Sequence, residues 1–341
     1  MFHPRPCGCK GQRTCLVCEK EFGALNLTDS WLSEDNKRNS YVFCPLCELA
    51  WPGWEGDSWK VHPNHEGESI KFTGAKVILN LLSEAEEKTL MTQIDEVPWD
   101  LSQSGRKKQN YGPKCNFKKR RVRVENFSGY PAFTKFIQDR FSSVDILKRF
   151  QTVEQCSLDY SVERGASIDP HIDDCWIWGE RIPTLSMLSD SVLTLRKFVG
   201  AEKKYNLMER KHYPSVMTVQ GTVKEDSEII ESFKGDFQNV DAEIASNNGI
   251  QESPLNSQMI IRLPMPRYSL LILFGPARYE WEHGILRQDI IDRRVCITYR
   301  ELTPTYLPFG PQSEIGRQIL EASKQFWDHR KFYNLDISDG M

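Results

Sequence analysis

The alternation of apolar and polar residues along this chain changes period several times, and each change marks an element. Residues 76–82 (Lys-Val-Ile-Leu-Asn-Leu-Leu) read as a strand. Ser83-Glu-Ala-Glu86 then forms a capping box, with Ser83 as N-cap and Glu86 at the third helical position. The predicted helix runs to about residue 96, ahead of Pro98, and buries Leu90, Met91 and Ile94. Phe133, Phe136, Ile137 and Phe141 recur at helical spacing and predict a second helix with a phenylalanine-rich core face. Beyond it the period shortens to two. Strands are predicted at 152–160, with Cys156, Leu158 and Tyr160 on one face, and at 182–188, 259–263, 269–274 and 294–300. Between about 196 and 257 the pattern lapses. That stretch is polar, with an acid-rich second half, and reads as an insertion or long loop. An amphipathic helix is expected around 314–326.

Cysteine placement sets off the start of the chain. Six of the ten cysteines fall in the first 47 residues, as Cys7-Gly-Cys9, Cys15-Leu-Val-Cys18 and Cys44-Pro-Leu-Cys47. Closely spaced thiolates suit tetrahedral zinc, because a short loop lets two sulfurs reach one ion. Two sets are open: Cys7, Cys9, Cys15 and Cys18, or a ribbon of Cys15, Cys18, Cys44 and Cys47. His62 and His65 are expected as solvated loop histidines. The expected organisation is a Cys-rich segment at 1–66, a strand and helix layer with a basic flap at 67–151, a β core at 152–302 carrying the insertion, and a tail with a helix at 303–341.

With 39 % hydrophobic and 27 % charged residues the chain reads as globular, and a net charge of −3 argues against a general nucleic-acid binder. No run approaches the roughly eighteen apolar residues of a membrane helix, and the first residues lack a secretory apolar core. A monomer in cytoplasm and nucleus, with thiols and metal rather than disulfides, is expected. Local charge changes the picture at 101–124. This stretch has no acidic residue but carries Arg106, Lys107, Lys108, Lys114, Lys118, Lys119, Arg120, Arg121 and Arg123, interleaved with Tyr111 and Phe117. Such a flap can contact phosphates and stack a base. A solvated hairpin or a localisation signal fits the same composition.

Ile168-Asp-Pro-His171-Ile-Asp173-Asp174 holds a His-x-Asp pair. In a strand, residues i and i+2 share a face, so His171 and Asp173 can address one ion while Asp174 points away. A second histidine must come from downstream. His212 lies in the polar insertion and His329 in the charged tail, whereas His283 lies between two apolar strands, where a half-buried structural role is the competing reading. In Arg294-Val-Cys-Ile-Thr-Tyr-Arg300, period two puts Arg294, Cys296, Thr298 and Arg300 on one face and Val295, Ile297 and Tyr299 on the other. If the apolar face is covered, two guanidiniums project inward and call for a dicarboxylate. On an exposed edge they would face water instead. Two histidines and a carboxylate on one side of a metal make the facial triad of non-heme Fe(II) oxygenases. Ligands from separate strands, without βαβ rhythm, suggest a mainly β fold with flanking helices around a double-layered jelly roll.

These residues resemble the AlkB family of Fe(II)/2-oxoglutarate-dependent dioxygenases. The resemblance rests on His171-x-Asp173, His283 and Arg294-x-Cys-x-Thr298-x-Arg300, which is similar to the family's Arg-x-Asn-x-Thr-x-Arg strand. Further runs are similar to one branch: Cys7-Gly-Cys-Lys-Gly-x-Arg-Thr-Cys-Leu-x-Cys18, the segment 101–113, Val153-Glu-Gln-Cys-x-Leu-Asp-Tyr160 and Trp176-x-Trp-Gly-Glu-Arg181. The resemblance covers most of 7–18 and 72–302 but not the insertion. It implies Fe(II), 2-oxoglutarate and O2 as cofactors, with Arg294 and Tyr160 on the distal carboxylate, Thr298 in the cofactor site and Arg300 near the metal-chelating end. It also makes the basic flap a substrate-recognition lid. The implied reaction is N-demethylation of monomethyl-lysine on actin or of N6-methyladenine in DNA, with actomyosin components as partners. Leu158 and Cys296 depart from the asparagines of bacterial members. A zinc-bearing scaffold or interaction protein whose core turns over weakly is the alternative.

Overall fold

The computed structural model describes residues 5–26, 31–218, 221–234 and 259–328. Within the insertion, expected as a loop, Asp226–Lys234 is a helix that begins the acid-rich half with Asp226 and Glu228 in its first turn; Asp236, Asp241 and Glu243, and the end of the tail with His329, lie outside the described residues. The architecture is mainly β with flanking helices. One seven-stranded sheet runs Ile168–His171, Trp281–Ile285, Ser191–Lys197, Ile260–Met265, Ser40–Phe43, Leu49–Pro52, Ile70–Lys71. The other runs Ala75–Ile78, Leu270–Leu273, Ile182–Met187, Arg294–Arg300, Glu154–Tyr160, Lys107–Tyr111, Asp100–Leu101. Between residues 154 and 300 the chain crosses from one sheet to the other at every step but one: Ser191–Lys197 and Ile260–Met265 follow each other in the same sheet and pair there. In each sheet four strands of this stretch lie side by side, all antiparallel.

Two apolar layers hold this arrangement. Between the sheets lie Leu193, Leu195, Ile261, Leu263, Leu271, Leu273 and Ile285. Behind the second sheet, Val295, Ile297 and Tyr299 pack with Leu90, Met91, Ile94 and Phe141. The helix supplying three of these residues spans Glu84–Glu96, and its capping box forms as expected: the Glu86 N–H donates to Ser83 Oγ, and Glu86 accepts from the Ser83 N–H. The Arg294–Arg300 strand is therefore central, paired on both sides, and its arginine face turns inward.

Several boundaries differ from expectation. The first core-adjacent strand ends at Ile78, because Asn80 turns the chain with a φ of 54°. The second helix is only Lys135–Arg140, between 3-10 turns at Ala132–Thr134 and Phe141–Ser143. The tail helix is Ser313–Ala322. The core strand Ser191–Lys197 has no counterpart among the expected strands. Its first five residues are buried, so alternation, the signal used to find strands, is absent. The Cys-rich segment is not set apart either. Ser40–Phe43 pairs in parallel with Ile260–Met265 and extends the core sheet.

Candidate active site

His171 and His283 face each other as a cross-strand pair, with ring centroids 4.5 Å apart. Asp173 lies two residues beyond the end of its strand, so strand register does not aim it. Two arginines do. Arg278 is fully buried and donates from Nη1 to the Asp173 carbonyl at 2.8 Å, and also to the Gly179 and Trp178 carbonyls. Arg300 donates to Asp173 Oδ1 from Nε at 2.8 Å and from Nη2 at 2.7 Å, and to Glu154. Asp173 Oδ2 is left facing His283 Nε2 at 3.6 Å, beyond hydrogen-bond range. Candidate ligand atoms of the three residues lie within 4.8 Å of one another. The His171 Nδ1–H donates to the Asp169 carbonyl at 2.9 Å, which orients the ring and leaves Nε2 for a metal. Asp174, expected to point away, accepts from Asn206 at 2.8 Å and lines the same cavity.

The electrostatics suit a cation. Burial raises the Asp173 carboxyl, but Arg300 and the two histidines outweigh it and hold it below the usual carboxylate range. Burial, then His171, pushes the His283 imidazole down from 6.5 to about 3. Burial lowers His171 as well. Both imidazoles therefore offer lone pairs at neutral pH. The shift also has a sign for stability. Between pH 6.5 and 3 the unfolded chain binds a proton at His283 that the folded, metal-free protein refuses, so stability falls as pH drops through this window. Urea unfolding of metal-free protein is expected to show lower stability at pH 5 than at pH 7. His283→Gln should shrink that gap by on the order of 1–2 kcal/mol; an unchanged gap would contradict the burial of a neutral imidazole here.

Arg294 is 0 % exposed. Its Nη2 donates to Ser186 Oγ at 3.2 Å and touches Met265 Sδ at 3.7 Å, while Nε and Nη1 have no partner. The guanidinium lies over the Tyr160 ring, 5.0 Å from its centroid. The Tyr160 hydroxyl, which Arg106 approaches, has no partner at hydrogen-bonding geometry. A buried cation with unused donors costs several kcal/mol unless an anion joins it. This is the cradle a carboxylate would fill. Thr298 Oγ1 lies 3.2 Å from Thr184 Oγ1, and both residues line the cavity over the triad, whose volume is about 620 Å3. Leu158 and Cys296, the two departures from the bacterial pattern, are cross-strand partners on the same cavity wall.

The basic flap divides. Arg106 and Lys108 line the cavity, as does Phe117, whose ring meets Trp176 edge-on at 6.3 Å. Lys107 starts the strand bonded to Glu154–Tyr160. Lys118, Lys119 and Arg120 form the exposed turn between Lys114–Asn116 and Arg121–Arg123. Tyr111, expected at the substrate, instead packs against Trp327 and lines a separate cavity of about 430 Å3. The flap does have counter-charges, from outside its own sequence: Glu125 pairs with Lys114 and Arg123, and Glu209 with Arg120. Sequence reasoning missed Arg278, Tyr205 and Arg13. Arg13 stands between Cys9 and Cys15, reaches Asp169 at 3.6 Å and lines the triad cavity. Only the fold brings these residues there.

Cys7, Cys9, Cys15 and Cys18 converge, all buried, with sulfurs within 4.8 Å of one another. The ribbon set does not form: Cys44 and Cys47 meet His62 and His65 instead. Among the described residues, no helix is long and apolar enough to cross a membrane.

No family model matches the chain. A mouse protein, alpha-ketoglutarate-dependent dioxygenase alkB homolog 4, is 38 % identical over 321 residues, covering 94 % of each chain. The human protein of the same name is 35 % identical over 322 residues, again 94 % of each. A Caenorhabditis elegans protein described as a DNA N6-methyl adenine demethylase is 29 % identical over 330 residues, 92 % of this chain and 93 % of that one. This protein is an enzyme of the 2-oxoglutarate-dependent dioxygenase class, working with Fe(II) and O2. The chain belongs to the AlkB family, on the alkB homolog 4 branch.

Proposed function

We propose that His171, Asp173 and His283 hold Fe(II), that Arg294 with Tyr160 takes the distal carboxylate of 2-oxoglutarate, and that the cavity admits an N-methyl group carried by a macromolecule. The observation carrying this reading is the pairing of a convergent His/Asp/His set with a buried, partly unpartnered arginine on one core. Eight antiparallel strands, four in each of two sheets, with the chain crossing between the sheets at every step except the central pair Ser191–Lys197 and Ile260–Met265, fit a jelly roll. Bound iron, with 2-oxoglutarate and O2, supplies hydroxylation of the methyl carbon, after which formaldehyde leaves. The protein's residues supply position. Arg300 holds Asp173 Oδ1, which leaves Oδ2 for the ion. Arg278 clamps the loop bearing that carboxylate. Cys7, Cys9, Cys15 and Cys18 hold zinc, ordering a loop that delivers Arg13 to the cavity.

N6-methyladenine in DNA is the first substrate by this reading. Arg13, Arg106 and Lys108 at the cavity and the lysines of the flap turn favour a polyanion, and the worm relative's name points the same way. Monomethyl-lysine on an acidic protein such as actin is the second reading, favoured by the carboxylates of Asp169 and Asp174 on the cavity wall. Methylated single-stranded DNA and a methylated actin peptide, assayed side by side for formaldehyde and succinate, decide between them. Succinate with neither substrate's formaldehyde would support the weakly active scaffold. Reversing Lys118 and Lys119 to glutamate, with Arg120 left in its pair, should raise KM for DNA roughly five- to tenfold at low salt. Conversion of 2-oxoglutarate without DNA should stay unchanged; equal losses in both assays would make the flap structural.

A further inference from the structure

The second cluster has no part in the chemistry above. Cys44-Pro-Leu-Cys47 forms a tight turn between Ser40–Phe43 and Leu49–Pro52, closed by the Cys44 N–H donating to the Leu49 carbonyl at 2.8 Å. Glu48 takes a left-handed φ of 59° to complete it. His62 and His65 come from the chain that follows, on the turn after the 3-10 helix Ser58–Val61. One ligand atom from each of the four lies within 4.8 Å of the others. The His62 Nδ1 to His65 Nε2 distance is 3.3 Å, and Cys47 Sγ to His65 Nε2 is 3.9 Å. Tetrahedral zinc with bonds of about 2.0–2.3 Å separates its ligand atoms by roughly 3.3–3.8 Å. The His62–His65 separation falls in that range and the Cys47–His65 separation just above it, so an ion would draw the four ligands in by at most about 1 Å.

Its surroundings treat the two thiols differently: burial pushes Cys44 up, whereas at Cys47 burial is outweighed by the Trp51 indole N–H and nearby backbone N–H groups, which hold the thiol below its usual value. The Cys44 S–H donates to the Trp59 carbonyl at 3.9 Å. The Trp51 indole N–H adds a donor to Cys47 Sγ at 3.4 Å. Trp51 also stacks on His65, centroids 4.7 Å apart and planes 18° from parallel, which fixes the ring. A donor to the Cys47 sulfur and a packed imidazole are supports of the kind that metal ligands use. Cys44 and Cys47 are free thiols.

We propose that Cys44, Cys47, His62 and His65 form a second metal site, taking Zn(II) in tetrahedral Cys2His2 coordination, separate from the four-cysteine cluster and from the iron. The spacing Cys-x2-Cys-x14-His-x2-His puts the histidines on a turn rather than on a helix, so the site is no zinc finger of the helical kind. Its role follows from its place. The knuckle lies on strands that extend the core sheet through Ser40–Phe43 and Ile260–Met265. The ion would tie residues 53–67 down onto that extension.

The test counts zinc per chain in full-length, iron-loaded protein. His62→Ala/His65→Ala should lose one zinc relative to wild type, keep iron-dependent turnover, and gain hydrogen exchange over 53–67. His65→Cys, which restores four ligands as Cys3His, should regain the zinc. Equal zinc in wild type and double variant would overturn the proposal. A readout that does not depend on the double variant's folding is zinc K-edge absorption on a His171→Ala/His283→Ala background, where the triad supplies no imidazole. Histidine outer-shell scattering is expected from the zinc; sulfur-only coordination, or zinc absent from the protein, would overturn the assignment. Because the count is made against wild type, failure of the four-cysteine site would remove a different zinc, one sensitive to Cys7→Ser/Cys9→Ser.

Discussion

His171→Ala, Asp173→Ala and His283→Ala each abolish iron-dependent conversion of 2-oxoglutarate to succinate while leaving the fold intact. The expected loss exceeds the roughly 10–100-fold seen when only a group behind a metal ligand is removed. The folds should survive for different reasons. The imidazoles, that of His283 buried and that of His171 half-buried, carry no charge at neutral pH, so their removal leaves space rather than unpaired ions. Asp173→Ala is the harsher change, because it takes one of two carboxylates from Arg300; Glu154 remains as partner. Circular dichroism and a Mn(II) titration read fold and ligation separately. Substantial turnover in the His283 variant would mean that the third ligand is another residue.

Arg294→Met should separate stability from binding in an unusual way. Most substitutions of a fully buried residue destabilise. Here the native side chain is a cation with two donors unused, so a similarly sized apolar residue should leave the metal-free protein as stable, or more stable by up to about 2 kcal/mol. Binding of 2-oxoglutarate should weaken by about 3–5 kcal/mol, roughly two to nearly four orders of magnitude, since the distal carboxylate would be buried without its partner. Urea unfolding without co-substrate and calorimetric titration with it give the two numbers. Loss of stability together with unchanged affinity would assign Arg294 to the core.

The most legible parts of the sequence were those whose chemistry is local. The capping box at Ser83, the Arg294–Arg300 strand and its inward face could be read because hydrogen bonding and period two act over a few residues. His283 could be picked because the alternatives lay in polar stretches. What could not be read depends on contacts distant in sequence. Asp173 is aimed by Arg278 and Arg300, more than a hundred residues later, not by its own strand. Arg13 reaches the cavity only through the folding of the four-cysteine loop. The Ser191–Lys197 strand hid because burial on both faces erases alternation. His62 and His65 looked solvated because nothing between Cys47 and His62 signals that the chain doubles back.

The central claim is that one core binds iron on His171, Asp173 and His283 and 2-oxoglutarate on Arg294. A crystal structure of the protein with Mn(II) and 2-oxoglutarate, using anomalous scattering to locate the metal, tests it most directly. A metal peak bonded to those three side chains is expected, with the distal carboxylate on the free Nε and Nη1 of Arg294, beside the Tyr160 hydroxyl. A metal elsewhere, or a co-substrate whose distal carboxylate rests on Arg300 or Arg106 with Arg294 still unpartnered, would contradict it.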